Sequence, residues 1–150
     1  MFKILVATDG SKYAYNAADY AGFLARMIED AEITVLSVID AGAIARAAGH
    51  PPALPAALSE EMERAAWGVL EDTRCKLSWT GKEVAVRLER GIPASIICDV
   101  ADKGKFDLVV MGSRGHGPIA GILLGSVSDK VLHKARVPVL IVRAKRERER

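Results

Sequence analysis

The sequence lacks the features that mark several classes of protein. It has two cysteines in 150 residues, Cys75 and Cys98, with no CxxC or Cys/His spacing. This excludes a disulfide framework and a zinc site, and it predicts two buried, reduced thiols. No apolar run reaches the roughly 18–20 residues of a membrane span, and residues 1–3 lead into a strand-like segment without a signal-peptide core. These absences predict a cytoplasmic protein that makes no contact with a membrane.

An excess of charge of one sign is also missing. The chain has 21 Lys and Arg residues against 19 Asp and Glu, a net charge of +2. Residues 143–150 hold five basic and two acidic side chains, and subtracting their +3 leaves residues 1–142 at −1. Binding to nucleic acid needs a concentrated basic surface, so the composition argues against that function. We expect one domain over residues 1–143 and a charged tail over 144–150, either solvated or in contact with an acidic partner.

Short apolar segments alternate with helical patterns along the chain. The predicted strands cover residues 2–8, 33–39, 83–89, 107–111 and 138–142. The predicted helices run from a Ser11 N-cap to about residue 29, from Ser59 to Leu77, from Pro93 to Ala101 and from Ser126 to Ala135. This βαβαβαβαβ order predicts one open parallel sheet with helices on both faces.

The Ala-, Gly- and Pro-rich stretch from Ala41 to Leu58 is predicted to be a long loop that contains at most a short helical turn. Loops of this length are uncommon inside compact domains and often cover a site. An uninvolved, disordered connection is the alternative.

The segment MGSRGHGPIAGILLGSVSD, residues 111–129, is rich in glycine and follows the fourth predicted strand. Glycines after a strand let a ligand approach the backbone N–H groups closely. The helix that starts at Ser126 adds unpaired N–H groups and a dipole that favours an anion. The segment therefore predicts a phosphate site made of a glycine-rich loop and a helix N-terminus.

Three common phosphate-linked motifs do not match. No Lys-Ser or Lys-Thr follows a glycine in the GxxxxGK[ST] spacing of a P-loop. A dinucleotide GxGxxG should follow the first strand, which here ends in Asp9-Gly10-Ser11. A response regulator would carry a phosphoacceptor Asp after the third strand, where this chain has Leu88-Glu89-Arg90-Gly91.

The spacing Gly112, two residues, Gly115, nine residues, Gly125, Ser126 resembles the G-x2-G-x9-G-[ST] motif of the ATP-binding branch of the universal stress protein family. The resemblance extends along the chain through KILVATDGS, VID, DLVVMGSRG and VPVLIVR. It implies a Rossmann-like fold, similar to the adenine nucleotide alpha hydrolases, with strand order 3-2-1-4-5. It also implies ATP with Mg²⁺ as the ligand and a homodimer formed through the last strand, Pro138 to Val142.

Carried onto this chain residue by residue, the resemblance implies two halves of one site. The base and ribose would lie against Ala7, Thr8, Asp9 and Val38. The phosphates would lie along Gly112, Arg114, Gly115, Gly125, Ser126, Val127 and Ser128, with Met111 lining the floor of the site. Open α/β sheets bind ligands at the carboxyl ends of their strands where the strand order reverses, here between strands one and four. Some residues have simpler alternative roles: Asp9 as a turn residue, Ser126 as an N-cap only, and Arg114 and His116 as solvated side chains.

These observations support three hypotheses on function. The first is a cytoplasmic regulator of the stress response that binds ATP and has no evident catalytic apparatus. The second is a slow ATPase or phosphotransferase that would use Arg114, His116 and a bound metal, although no catalytic base is apparent. The third is a dimeric interaction module whose apolar last strand matters more than the ligand.

Overall fold

The computed structural model of the chain describes residues 1–47, 49, 55–114 and 124–143. Its strands are β1 (Phe2–Ala7), β2 (Ala31–Ile39), β3 (Val84–Arg90), β4 (Leu108–Gly112) and β5 (Val139–Val142). Its helices are α1 (Lys12–Met27), α2 (Ala41–Ala47), α3 (Ala56–Lys76), α4 (Pro93–Lys103) and α5 (Ser126–Lys134). One 3-10 turn, Ser78–Thr80, follows α3.

The strands form one parallel sheet in the order β3-β2-β1-β4-β5, which confirms the predicted fold class and strand order. On one side of β1, Ala7 pairs with Leu36 of β2, and on the other side Val6 pairs with Val110 of β4. Each strand returns through a helix, so the carboxyl ends of all five strands lie at one edge of the sheet. The strand order reverses between β1 and β4, which puts the expected ligand crevice at the ends of these two strands.

Each face of the sheet carries its own apolar layer. Small alanines of α1 let that helix lie close to one face, beside side chains of α3; the buried members of this layer include Ile4, Val6, Ala17, Ala21, Ile33, Val35, Leu70 and Val110. On the other face, α4 and α5 cover Leu5, Ala7, Leu36, Val109 and Met111, with Ile97, Val100 and Val131 among the helix contributions. Strands buried on both faces are typical of parallel sheets, and they hold the strand ends rigidly in place.

The segment from 41 to 58 differs from its prediction as a loop. Residues 41–47 form α2, because the alanine-rich sequence has high helix propensity and Asp40 Oδ1 accepts a hydrogen bond from the N–H of Ala43 at 2.9 Å. The following helix begins at Ala56 after Pro55, three residues before the predicted Ser59 cap. Residues 48 and 50–54 lie outside the described residues.

The prediction of two buried thiols is wrong. Cys75 is exposed and Cys98 is half-buried. Cys75 points away from the sheet because the buried side of α3 is formed by Leu70 and Thr73. Burial raises the pKa of Cys98, the Asp99 carboxylate adds to the rise, and Lys134 opposes it. None of the helices within the described residues is long and apolar enough to cross a membrane.

Candidate functional site

The end of β1 forms a tight turn into α1. Thr8 extends the pairing with β2, since its N–H donates to the carbonyl of Leu36 at 2.9 Å. Asp9 Oδ1 accepts from the N–H of Ser11 at 2.9 Å, and Ser11 Oγ then caps the helix by accepting from the N–H of Ala14 at 3.2 Å. Asp9 therefore has the turn role that was its alternative, and its exposed carboxylate stands at the carboxyl edge of the sheet.

Gly10 permits this turn in two ways. Its φ of +80° lies in the left-handed region that favours glycine, and a Cβ built there would lie 2.8 Å from a methyl carbon of Val69. The absence of a side chain therefore lets α3 pack over the β1–α1 turn and fixes the direction in which α1 leaves the sheet.

The start of α1 rests directly on the end of β4. A Cβ built on Gly112 would lie 2.8 Å from the carbonyl carbon of Tyr13 and 2.9 Å from both its Cβ and its carbonyl oxygen. No side chain fits at that position without displacing the helix backbone. Gly112 is buried in this contact, so its first role is to let α1 and β4 approach each other.

The carbonyl of Ser113, the residue after β4, holds the start of α5. It accepts from the N–H of Gly125 at 2.6 Å and from Ser128 Oγ at 3.2 Å. The same Ser128 hydroxyl lies 3.1 Å from the carbonyl of Gly125. The hydroxyl of Ser128 is therefore used inside the protein, and only its backbone N–H is oriented with the first turn of α5.

The first turn of α5 has backbone N–H groups that form no hydrogen bond within the helix. Gly125 is the N-cap and supplies no side-chain cap, and the first intrahelical bond runs from the N–H of Asp129 to the carbonyl of Gly125 at 3.0 Å. The N–H groups of Ser126, Val127 and Ser128 precede that bond, so they have no acceptor within the helix. Together with the helix dipole they favour an anion. The exposed hydroxyl of Ser126 adds a further donor at this position.

Three of the predicted site residues, two from the base side and one from the floor, are apolar. Ala7 and Met111 are buried in the layer under α4 and α5, and Val38 packs against that layer. All three lie near the carboxyl ends of β1, β4 and β2. Half-buried Arg114 follows Ser113 on the same edge, and a Cβ on Gly125 would come within 3.3 Å of the Arg114 Cα.

The structure thus brings eleven of the twelve predicted site residues to one edge of the sheet; the twelfth, Gly115, and also His116, lie outside the described residues. Sequence reasoning missed Tyr13 and Ser113, whose contribution is through backbone atoms. Their only signal was position, because Tyr13 follows the DGS turn and Ser113 lies inside the GSRG segment.

The sequence of this chain is similar to those of known proteins along nearly its whole length. The sequence model of the universal stress protein family matches residues 1–143. A universal stress protein of Thermus aquaticus is 38% identical over 147 residues, covering 95% of this chain and 100% of the relative.

Solved structures are similar over nearly the whole chain. The universal stress protein UspA of Lactobacillus plantarum superposes with a TM-score of 0.80 at 28% identity, covering 95% of this chain and 97% of the other. A universal stress protein in complex with cAMP superposes with a TM-score of 0.68 at 26% identity, covering 95% and 96%.

Proposed function

This chain belongs to the universal stress protein family, and we propose that it is a cytoplasmic stress-response regulator that binds ATP, with Mg²⁺, at the carboxyl ends of β1 and β4. The observation that carries the proposal is the Ser113 carbonyl, which holds the uncapped start of α5 beside the point where the strand order reverses. The related structure that contains cAMP supports an adenine nucleotide as the ligand.

The chemistry of the residues fits such a ligand. Backbone N–H groups of Ser126, Val127 and Ser128, with the Ser126 hydroxyl, are donors suited to phosphate oxygens. The apolar side chains of Ala7, Val38 and Met111 suit a base, as ligand pockets are mainly apolar with few polar groups. Asp9 would accept from a ribose hydroxyl through its exposed carboxylate, and Thr8, Gly112, Arg114, Gly115 and Gly125 would complete the site.

Mg²⁺ requires little from the protein in this proposal. It keeps several waters and is usually held by substrate phosphates with one or two carboxylates. Within the described ranges, no group of three or more His, Cys, Asp or Glu side chains comes together. When bound, the ion would neutralise part of the phosphate charge.

Isothermal titration of nucleotide-stripped protein with Mg-ATP tests the proposal, alongside Ser126→Asp and the matched control Ser78→Asp. The helix dipole stabilises an Asp in the first turn of α5, so the fold should persist. The carboxylate of that Asp should repel the phosphates of the nucleotide. Ser78 is exposed in the 3-10 turn after α3, and Ser78→Asp adds the same charge away from the site.

We expect saturable binding to the wild type and to Ser78→Asp, and none to Ser126→Asp. Binding should also raise the thermal midpoint, by mass action on the folded state. No heat and no thermal shift with the wild type at millimolar Mg-ATP would refute the proposal. Competition with cAMP and AMP in the same experiment ranks the nucleotides. A single-turnover assay with protein in excess tests slow ATP hydrolysis, for which ADP formation is the required result.

The exposed edge of β5 favours a second, compatible function as a homodimer. β5 pairs only with β4 among the described strands, and all four of its residues, Val139–Val142, are apolar and half-buried. An apolar edge strand presents unpaired backbone groups that a second copy can pair with. Sedimentation equilibrium should show a dimer at micromolar concentration, and Ile141→Lys should give a monomer. A monomeric wild type would refute this function.

A further inference from the structure

The first turn of α1 carries a lysine in a position that helix electrostatics disfavours. Lys12 is the first residue of α1, and the first turn contains no acidic residue. A cation at a helix N-terminus opposes the helix dipole, where an Asp or Glu would stabilise the helix. Such departures from local rules concentrate at functional sites.

The position of this turn links Lys12 to the phosphate donors of α5. The backbone of Tyr13 lies against Gly112, so close that a Cβ there would be 2.8 Å from the Tyr13 carbonyl carbon. The next residue of the chain, Ser113, accepts the N–H of Gly125 at 2.6 Å. The starts of α1 and α5 therefore flank the same strand end, where they contact two consecutive residues of the chain.

The ammonium group of Lys12 lies near an aromatic ring rather than near an acid. Its Nζ lies 5.3 Å from the centroid of the Tyr13 ring, within cation–π distance. No ion pair involves Lys12 among residues that the structure describes. The side chain is exposed, so its four-carbon stem is free to carry the charge toward an anion at this edge.

Further positive charge comes from the ends of β4 and β5. The pairing of Gly112 with Val142, and the hydrogen bond from the N–H of Ser113 to the carbonyl of Val142 at 3.0 Å, place Arg143 beside the residues that follow β4. Arg114 is the second of these residues. Lys12, Arg114 and Arg143 thus give three cations around the end of one strand, while Asp9 at the end of β1 and Asp129 in the first turn of α5 are acids at the same edge of the sheet.

We infer that Lys12 binds the distal phosphates of a nucleoside triphosphate and makes the site selective for polyphosphates over monophosphates and cyclic nucleotides. The inference rests on the proposed function and goes beyond it, because it assigns the distal phosphates, which carry the most negative charge of a triphosphate, to a residue outside the predicted site. Lys12, at the start of the neighbouring helix, supplies a positive charge that can neutralise these phosphates.

Titration of wild type, Lys12→Gln and Lys103→Gln with ATP, ADP and AMP tests the inference. Lys103 is an exposed lysine in the last turn of α4, at the opposite edge of the sheet, so its variant controls for loss of one positive charge. Lys12→Gln should weaken ATP binding about tenfold and AMP binding less than about twofold, as expected for loss of one charge-assisted hydrogen bond. Lys103→Gln should leave the ATP-to-AMP affinity ratio of the wild type unchanged.

A second variant separates binding from folding. Lys12→Glu replaces the unfavourable cation with an acid, so the nucleotide-free protein should melt about 2–4 °C higher while ATP binding weakens further than in Lys12→Gln. Opposite movements of stability and affinity cannot arise from a damaged fold.

Each outcome is decisive. An unchanged ATP-to-AMP affinity ratio in Lys12→Gln, with normal binding by the wild type, overturns the inference and leaves the proposed function intact. Failure of the wild type to bind any of the three nucleotides overturns the proposed function, and this inference with it. A selective loss of ATP affinity supports both.

Discussion

Replacement of Gly112 by alanine should destabilise the protein although it adds only one methyl group. The new Cβ would lie 2.8–2.9 Å from three atoms of Tyr13, two of them backbone atoms of the first turn of α1. A helix backbone cannot rotate aside as a flexible side chain can, so α1 must move away from β4. Overpacking of this kind costs about 1–3 kcal/mol, and the lower entropy of the unfolded alanine chain offsets about 0.4–1 kcal/mol.

With the middle of each range, the net loss of about 1.3 kcal/mol should lower the thermal midpoint by about 3–5 °C in a chain of this size. Urea unfolding followed by circular dichroism measures the same loss as a lower midpoint with an unchanged m-value.

Gly68→Ala is the matched control for this prediction. Gly68 is exposed within α3, and a Cβ there would meet nothing within 4 Å. The same substitution should raise stability by about 0.5–1 kcal/mol, because alanine favours a helix interior over glycine. The two variants should therefore move in opposite directions. If Gly112→Ala unfolds at or above the wild-type midpoint, the close approach of α1 to β4 does not require glycine and the reasoning is refuted.

Three further predictions concern other parts of the chain. Lys82→Met should lower the free energy of unfolding by about 1–2 kcal/mol in urea. The reason is that Lys82 Nζ donates to the carbonyls of Ile28 and Glu29, at 2.8 and 2.6 Å, just after the end of α1. Unchanged unfolding would show that water replaces the ammonium group as the donor to these carbonyls. In Ellman assays on single-cysteine variants, half-buried Cys98 should react more slowly than exposed Cys75, since burial, with Asp99, raises its pKa against the opposing effect of Lys134. A raised pKa means that the folded state holds the thiol proton more tightly than the unfolded chain does. The contribution of Cys98 to stability is therefore constant below pH 9 and falls as the pH rises through the folded pKa. Cys98→Ser should flatten that part of the plot of stability against pH.

The order of the elements was predictable because apolar runs and helical stripes are local properties of the sequence. Continuous apolar segments such as residues 33–39 indicate strands covered on both faces, and the structure has β2 there. The alternating pattern of residues 83–89 predicted a less covered strand, and β3 is an edge strand. The strand order itself came from the family resemblance, since a βα alternation alone does not fix it.

Other features depend on contacts that a linear pattern does not contain. Helix α3 begins at Ala56 rather than after Ser59, the predicted cap. The hydroxyl of Ser59 instead lies 3.3 Å from a guanidinium nitrogen of Arg90 on β3. The segment after Asp40 combines glycine with alanine, and the Asp40 cap decides in favour of helix α2. The fold was therefore more predictable than the helix boundaries, because packing and capping contacts set the boundaries.

The glycine motif itself divides into packing and binding residues. A glycine-rich segment suggests a site in which every glycine makes room for the ligand, yet Gly112 makes room for the backbone of α1. The Ser113 carbonyl and the Ser128 hydroxyl are likewise engaged in fixing α5 to β4. What remains for an anion is the first turn of α5, through its N–H groups and the Ser126 hydroxyl.

This division gives the variants different expected effects. Gly112→Ala should lower stability and, through displacement of α1, should also alter the position of Lys12 relative to the start of α5. Ser126→Asp should abolish nucleotide binding without loss of stability, because its side chain takes no part in the contacts that join β4, α1 and α5. The residues of this motif thus serve packing and binding at once, and stability and binding measured on the same variants separate the two roles.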